Sequence, residues 1–365
     1  MTVVQILYSG LGGHSSVAFS LVEADKEFKY KHVLIFYGIE EMPPAYINKC
    51  TALGIDYFFI KKEPGFDRNA QKNVISTLKK ISRAVILLHS ISLIIPVYYY
   101  GFSRKTRVIA IEHQPNHLKT KLEWVWSFLL MRLSKKVVFL TDLYRDQMKK
   151  RLGIFYDSKK VRVINNGINI DLFKPQKKDK KFNNVVLKIG MLARLMDTKD
   201  HLTLIKAFKL LLQNNNTGRS LQLHIAGEGE MKQALINLTQ QWGLGDDVHF
   251  RGMIPEAEAV DFLNELDIYV HASLGETMST SIMQVMACGK PLIASNVEGI
   301  NNMVRDKVTG ILVPAKDETA MADSILRLMN NVALADELAT NAYNFAVENY
   351  SNKKMLDNYK AIFTN

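Results

Sequence analysis

The chain has 365 residues, 47% hydrophobic and 23% charged, which is too long for one ordinary core and suits two domains of about 180 residues each. Its two cysteines, Cys50 and Cys288, stand far apart in apolar surroundings, which excludes a disulfide framework or a cysteine metal site and fits a reducing compartment. The net charge of +11 is unevenly placed: residues 1–182 carry 31 Lys and Arg against 15 Asp and Glu, and residues 183–365 carry 16 against 21.

In chain order, MTVVQILYSG lacks the charged and long apolar regions of a secretory signal and reads directly as a first strand. The runs HVLIFYG, DYFFIK, AVILLHS, RVIAIEH, KVVFLT and VRVINN follow, alternating with helical patterns, as buried parallel strands joined by crossover helices do. The most apolar window, residues 84–102, is interrupted by His89, Ser90, Ser92 and Pro96, so it splits into a strand and a helix and predicts no membrane span. Basic clusters at Arg104/Lys105/Arg107, Lys119/Lys121, Lys135/Lys136 and Lys149/Lys150/Arg151 read singly as solvated faces; together with the positive half they predict attraction to an anionic surface. Residues 121–140 place Trp124, Trp126 and Phe128 among lysines, a pattern suited to a membrane-interface helix, although a buried crossover helix and strand accounts for most of them.

The polar, lysine-rich stretch FKPQKKDKKFNN marks a linker at 173–182 between domains at 1–172 and 183–349. A second strand series follows: VVLKIGML, LQLHIAG, VHFRGM, IYVHAS, PLIASN and GILVP. The result is an α/β protein of two doubly wound parallel-sheet domains, with the cleft between them as the default ligand site. The last segment, FAVENYSNKKMLDNYKAIF, reads as a helix, and the stretch from about 350 to 365 is expected to pack back on the first domain.

Three stretches carry chemistry. YSGLGGHSS (8–16) joins the first strand to a helix, where glycines permit close backbone approach and a helix N-terminus offers N–H groups to an anion; it is neither GxGxxG nor a P-loop. GMLARLMDTKDH brings Arg194 and Lys199 to the next such junction, where two cations suit a diphosphate, or else form a solvated pair. In ETMSTSIMQVMACGKP, Glu276 lies in a loop, Thr280 or Ser281 is the expected N-cap, and Ser281 with Gln284 matches a capping box. The adjacent acids Asp246 and Asp247 fall in a turn, where solvated charge accounts for them and no metal site is implied.

Taken with INNGINIDLF, LHIAGEGEM, VHFRGMIP and TGILVPAKD, these stretches resemble glycosyltransferase family 4 of the GT-B fold over nearly the whole chain, most densely from about residue 161 to 317. The resemblance implies two Rossmann-like domains and retaining transfer from a UDP-, GDP- or other nucleotide-diphosphate sugar, without metal or cofactor. Arg194 and Lys199 match the family's diphosphate-binding R-x4-K. Glu276 opens its E-x7-E and would face the sugar hydroxyls, while the N–H groups of Met278, Ser279 and Thr280 supplement the diphosphate site. Gln284 replaces the second Glu, which binds ribose; an amide still accepts a hydrogen bond but carries no charge. Thr277 stands where Gly or Ala is common. His113 matches the histidine that approaches the sugar, with His89 at the end of the preceding strand and His14 and His117 as weaker candidates. Gly12 and Gly13 match the loop that contacts donor phosphate or acceptor, and backbone around Met253 and Ile254 is expected at the base. Members that build bacterial surface polysaccharides, including lipopolysaccharide, are similar in size and wording, which implies a glycan or lipid-linked acceptor, no nucleic acid, and a cytoplasmic protein peripheral on the inner membrane. Two other classes fit part of the pattern: a sugar-nucleotide epimerase of similar shape, and a noncatalytic nucleotide-sugar-binding subunit, the latter motivated by Gln284.

Overall fold

The computed structural model describes residues 1–10, 13–27, 29–81, 84–176, 186–215 and 218–363. They divide into two compact units, one of residues 1–169 with 352–365 and one of residues 170–351.

The first unit runs β1 (Thr2–Tyr8), α1 (Gly13–Ala24), β2 (Lys31–Gly38), α2 (Pro44–Ala52), β3 (Asp56–Lys61), α3 (Arg68–Lys80), β4 (Ala84–Leu88), α4 (Ile94–Arg104), β5 (Arg107–Glu112), α5 (Lys121–Leu133), β6 (Lys136–Phe139), α6 (Asp142–Leu152) and β7 (Val161–Val163). Its strands form one parallel sheet in the order β3-β2-β1-β4-β5-β6-β7. Val4 and Ile6 pack on one face with Val74 and Leu78 of α3 and Val97 of α4, whereas Leu7 packs on the other with Phe19 of α1 and Phe36. Burial on both faces is why these strands read as unbroken apolar runs. Helix starts are set by side chains: Asp67 accepts the Ala70 N–H ahead of α3, and Thr120 and Glu123 close a capping box on α5.

The second unit runs β8 (Val186–Leu192), α7 (His201–Gln213), β9 (Ser220–Ala226), α8 (Lys232–Gln241), β10 (Val248–Gly252), α9 (Glu256–Glu265), β11 (Ile268–His271), α10 (Thr280–Ala287), β12 (Leu292–Ser295), β13 (Ile311–Val313), α11 (Glu318–Asn330) and α12 (Val332–Asn349). Its parallel sheet has the order β10-β9-β8-β11-β12-β13. Leu204, Phe208 and Leu211 of α7 and Met321, Ile325 and Leu328 of α11 cover one face. Each such fully buried side chain contributes about 1.5–3 kcal/mol relative to exposure.

Strand order reverses at β1/β4 in the first sheet and at β8/β11 in the second, so loops diverge there at the C-terminal strand ends and leave room for a ligand. The expected linker at 173–182 is described only to Gln176. Phe173 is fully buried in the second unit and the Gln176 N–H donates to Asn264 Oδ1 at 3.0 Å. The expected terminal helix is two helices: α12 ends at Asn349, and α13 (Asn352–Phe363) belongs to the first unit. The break follows from tertiary bonds, since the Asn352 N–H donates to Ile168 O at 2.9 Å and its amide to Ser20 O at 3.2 Å. Among the described residues no helix is long and apolar enough to cross a membrane.

Candidate active site

The second unit assembles its site at the β8/β11 switch point. Beyond β8, residues 193–200 bend back on the loop after β9. The Leu195 N–H donates to Glu228 O at 2.9 Å, and a Cβ on Gly227 would stand 1.9 Å from Ala193 O, so only glycine lets the two loops touch. The bend ends in a short 3₁₀ turn, Asp197–Lys199, and Asp200 in the left-handed region (φ 39°) leads into α7. Thr198 O accepts the Leu274 N–H at 2.9 Å and the Ser273 hydroxyl at 3.1 Å, which ties this turn to the loop after β11. On that loop the Glu276 N–H donates to Glu298 O at 3.2 Å. Gly299 (φ 88°) permits the approach, because a Cβ there would lie 1.8 Å from Glu276 O.

These constraints aim the Glu276 carboxylate at Lys199, whose Nζ is bonded to Oε1. His271, the last residue of β11, places Nε2 2.9 Å from the same oxygen. Its Nδ1 lies 3.1 Å from the Tyr269 hydroxyl, whose one proton serves Nδ1 or Leu192 O at 3.2 Å. Burial lowers the His271 pKa more than Glu276 raises it, so the ring is neutral and Nε2 carries the proton that the carboxylate accepts. Burial alone would raise Glu276, but Lys199 and the His271 hydrogen bond outweigh it and bring the carboxyl to about 2. Glu276 is therefore an ionised, nearly buried carboxylate gripped from two sides. His201 opens α7 nearby in sequence; it is buried, neither ring nitrogen has a hydrogen-bond partner among the described residues, and burial pushes it down to about 3.

Helix α10 points its N-terminus out of the same loop. Ser279, not Thr280 or Ser281, is its N-cap, and its Oγ accepts the Ile282 N–H at 3.4 Å. The expected capping box of Ser281 and Gln284 is therefore not formed: the third helical residue is Ile282, and Gln284 falls in the second turn. The Gln284 side chain is buried and makes no hydrogen bond among the described residues. The Thr280 and Ser281 N–H groups likewise have no partner among the described residues, as the first turn of a helix leaves them. The Ser279 N–H instead meets Met303 Sδ at 3.2 Å. Met278 is buried. Arg194 is exposed and makes no ion pair among the described residues. The structure thus joins Lys199 to Glu276 directly and leaves Arg194 open to solvent.

In the first unit, His113 follows β5 and its Nε2 lies 2.8 Å from His89 Nδ1. His89 Nε2 lies 3.2 Å from Gln5 Oε1, while the Gln5 amide nitrogen donates to Ala18 O at 3.2 Å. Gln5 Oε1 must then accept, His89 must donate from Nε2 and accept at Nδ1, and His113 must donate from Nε2. The chain of bonds turns His113 Nδ1 into an acceptor. Burial drives the His89 pKa down to about 3 and His113 well below the ordinary value, so both are neutral. The His14 ring centroid lies 4.1 Å from that of His113, the two rings tilted by 36°, and His117 is exposed. Gly13 opens α1, and Gly12 lies outside the described residues.

Sequence reasoning missed Tyr269, His271 and His201. DTKDH and VHAS contain both histidines, but nothing in their spacing signals that one ring would lie against Glu276. Asp246 and Asp247 lie in the turn before β10, and no cluster of three potential metal ligands occurs among the described residues.

Two parallel-sheet units, each opening its loops at a switch point, define the GT-B class of α/β protein. Sequence models for "Glycosyltransferase Family 4" and "Glycosyl transferases group 1" match residues 11–172 and 173–345 in turn, and the chain belongs to this glycosyltransferase family. It is 28% identical over 272 residues to an uncharacterised glycosyltransferase of Methanocaldococcus jannaschii, covering 71% of this chain and 68% of that one. It is 27% identical over 224 residues to the UDP-Gal:α-D-GlcNAc-diphosphoundecaprenol α-1,3-galactosyltransferase of Escherichia coli, covering 58% of this chain and 55% of the relative. The crystal structure of Anabaena HepE in complex with UDP and glucose superposes over 100% of both chains with a TM-score of 0.82 at 17% identity.

Proposed function

We propose that the protein transfers a sugar, with retention at the anomeric carbon and without a bound metal, from a nucleotide-diphosphate sugar to a glycan or lipid-linked acceptor in bacterial surface-polysaccharide synthesis. The observation that carries this reading is the Lys199–Glu276–His271 constellation beside the open N-terminus of α10. An incoming diphosphate offers Lys199 a doubly charged partner, and Arg194 with the Thr280 and Ser281 N–H groups adds donors to it. Lys199 then leaves Glu276, whose freed oxygen accepts a sugar hydroxyl while His271 keeps the carboxylate in place. The buried Gln284 amide, lacking an internal partner, suits a ribose hydroxyl.

In the proposed front-face reaction the C1–O bond to the leaving phosphate breaks as the acceptor oxygen bonds to C1 on the same side. The acceptor proton passes to the leaving phosphate oxygen. Catalysis then consists of orienting both substrates and stabilising charge on the diphosphate, chiefly by Arg194 and Lys199. His113 Nδ1, fixed as an acceptor, suits a sugar hydroxyl. The E. coli relative's lipid-diphosphate acceptor and UDP donor, and the UDP and glucose in the HepE structure, support this substrate class. In this reading the reaction takes place at the cytoplasmic face of the inner membrane.

Calorimetry with UDP, GDP and their sugar conjugates tests the donor assignment. Arg194→Ala and Lys199→Ala should each weaken binding by about tenfold or more, as expected for losing a charged hydrogen bond. Unchanged affinity in both variants would remove the assignment.

A further inference from the structure

Exposed apolar side chains gather on adjoining pieces of the first unit. The helices α4 and α5 pack against each other on one face of the sheet, so the side chains they turn from the core share an outer surface. On α4 that surface carries Ile95, Tyr99 and Phe102, spaced four and three apart, with Phe102 77% exposed. The helix has no acidic residue to break the stripe, and it ends in Arg104 and Lys105. On α5 the outward residues are Leu122 and Val125, flanked by Lys121 and Arg132.

The turn after α6 extends this surface. Ile154 is 93% exposed, and the neighbouring Phe155 sets its ring edge-on to Phe128 of α5, with centroids 5.3 Å apart. Lys149, Lys150 and Arg151 immediately precede the turn, all exposed and in no ion pair among the described residues. The nearby acids have partners of their own: Asp142 and Asp146 pair with Arg145, Asp157 accepts the Lys159 N–H, and Glu123 caps α5. Trp124 and Trp126, the sequence-level candidates for a membrane interface, instead pack against the core.

We propose that this surface of α4, α5 and the 153–155 turn docks on a bilayer rich in anionic phospholipid. Isolated exposed leucines are ordinary, but aliphatic and aromatic side chains at helical spacing, rimmed by uncompensated Lys and Arg, match the apolar and anionic layers of a lipid interface. A second copy of the chain is a poorer match, because pairing this surface with itself would oppose its own cations. The proposal deepens the reading above only in that a lipid-linked acceptor lies in such a bilayer.

Co-sedimentation of the full chain with phosphatidylglycerol/phosphatidylcholine vesicles and with phosphatidylcholine alone tests it, with UDP calorimetry on the same samples. Binding should require the anionic lipid and fall with salt. Lys149→Glu/Lys150→Glu changes the charge by four units and should weaken it by about a hundredfold or more, at roughly fivefold per unit of charge near the surface. Tyr99→Ser/Phe102→Ser/Ile154→Ser should abolish it with UDP binding intact. Because the triple variant could unfold, hydrogen exchange of the parent is measured as well, and vesicles should protect 94–104 and 153–155. Equal binding by parent and charge variant, equal binding to neutral vesicles, or protection elsewhere overturns the docking surface. So does dimerisation of the parent that the triple variant removes. Vesicle binding without nucleotide binding would instead sink the transferase reading and leave the docking surface standing.

Discussion

Replacing Glu276 by Gln removes one negative charge from a site where Lys199 and His271 converge on a single oxygen. The carboxyl is lowered from 4.5 to about 2, a difference worth about 3 kcal/mol of native stability once the group is ionised. Because the folded value lies below the unfolded one, that stability is fully present above about pH 5 and is lost as the pH falls toward about 2. The Gln variant keeps an acceptor for the His271 N–H but lacks the titration. Urea unfolding of both proteins from pH 7 down to pH 2.5 should show a deficit in the variant near neutrality that shrinks steadily on acidification. With Trp124 and Trp126 changed to Phe, Trp242 is the last of the chain's three tryptophans and reports the second unit alone. A deficit independent of pH would refute the ionised, paired carboxylate; no deficit at neutrality would show that the pair contributes nothing net.

Two further outcomes follow from the site. Gln284→Ala should weaken UDP binding by up to about tenfold, the worth of one neutral hydrogen bond, and should erase the parent's preference for UDP over its 2′,3′-dideoxy analogue; a retained preference would remove Gln284 from the ribose. His89→Phe takes away the acceptor that holds the His113 proton at Nε2, so kcat should fall by about tenfold while UDP affinity stays unchanged, and an unaltered kcat would sink the tautomer argument.

Strands were legible because parallel sheets bury both faces: every run from VVQILYS to GILVP became a strand. R-x4-K and Glu276 were legible because they sit at strand-to-helix junctions, which the apolar pattern locates. The cap of α10 was not, since TMSTS offers four hydroxyls and the choice falls on Ser279 in a loop pinned by Glu298 and Gly299, some twenty residues on. His271 was hidden for the same reason, its partner arriving only when that loop folds back. The long C-terminal helix was misread across Tyr350 and Ser351 because contacts with Ile168 and Ser20, distant in sequence, end one helix and begin another. Which side of α4 meets water was not legible either, because a helix that is apolar over most of its length has no polar stripe to mark its outer face.

Helix α13 also bears on the order of folding. The first unit closes only when α13 buries Met355, Leu356, Tyr359 and Phe363 and when the Arg107 guanidinium reaches Phe363 O at 2.8 Å. Those residues leave the ribosome after the whole of the second unit. The nascent first sheet must therefore wait with a seam unfilled while its neighbour, continuous in sequence, completes its own core, so the segment made first is the one finished last. Excising residues 1–169 as a standalone fragment would leave that seam open, and a circular permutant joining α13 ahead of β1 would close it from the start.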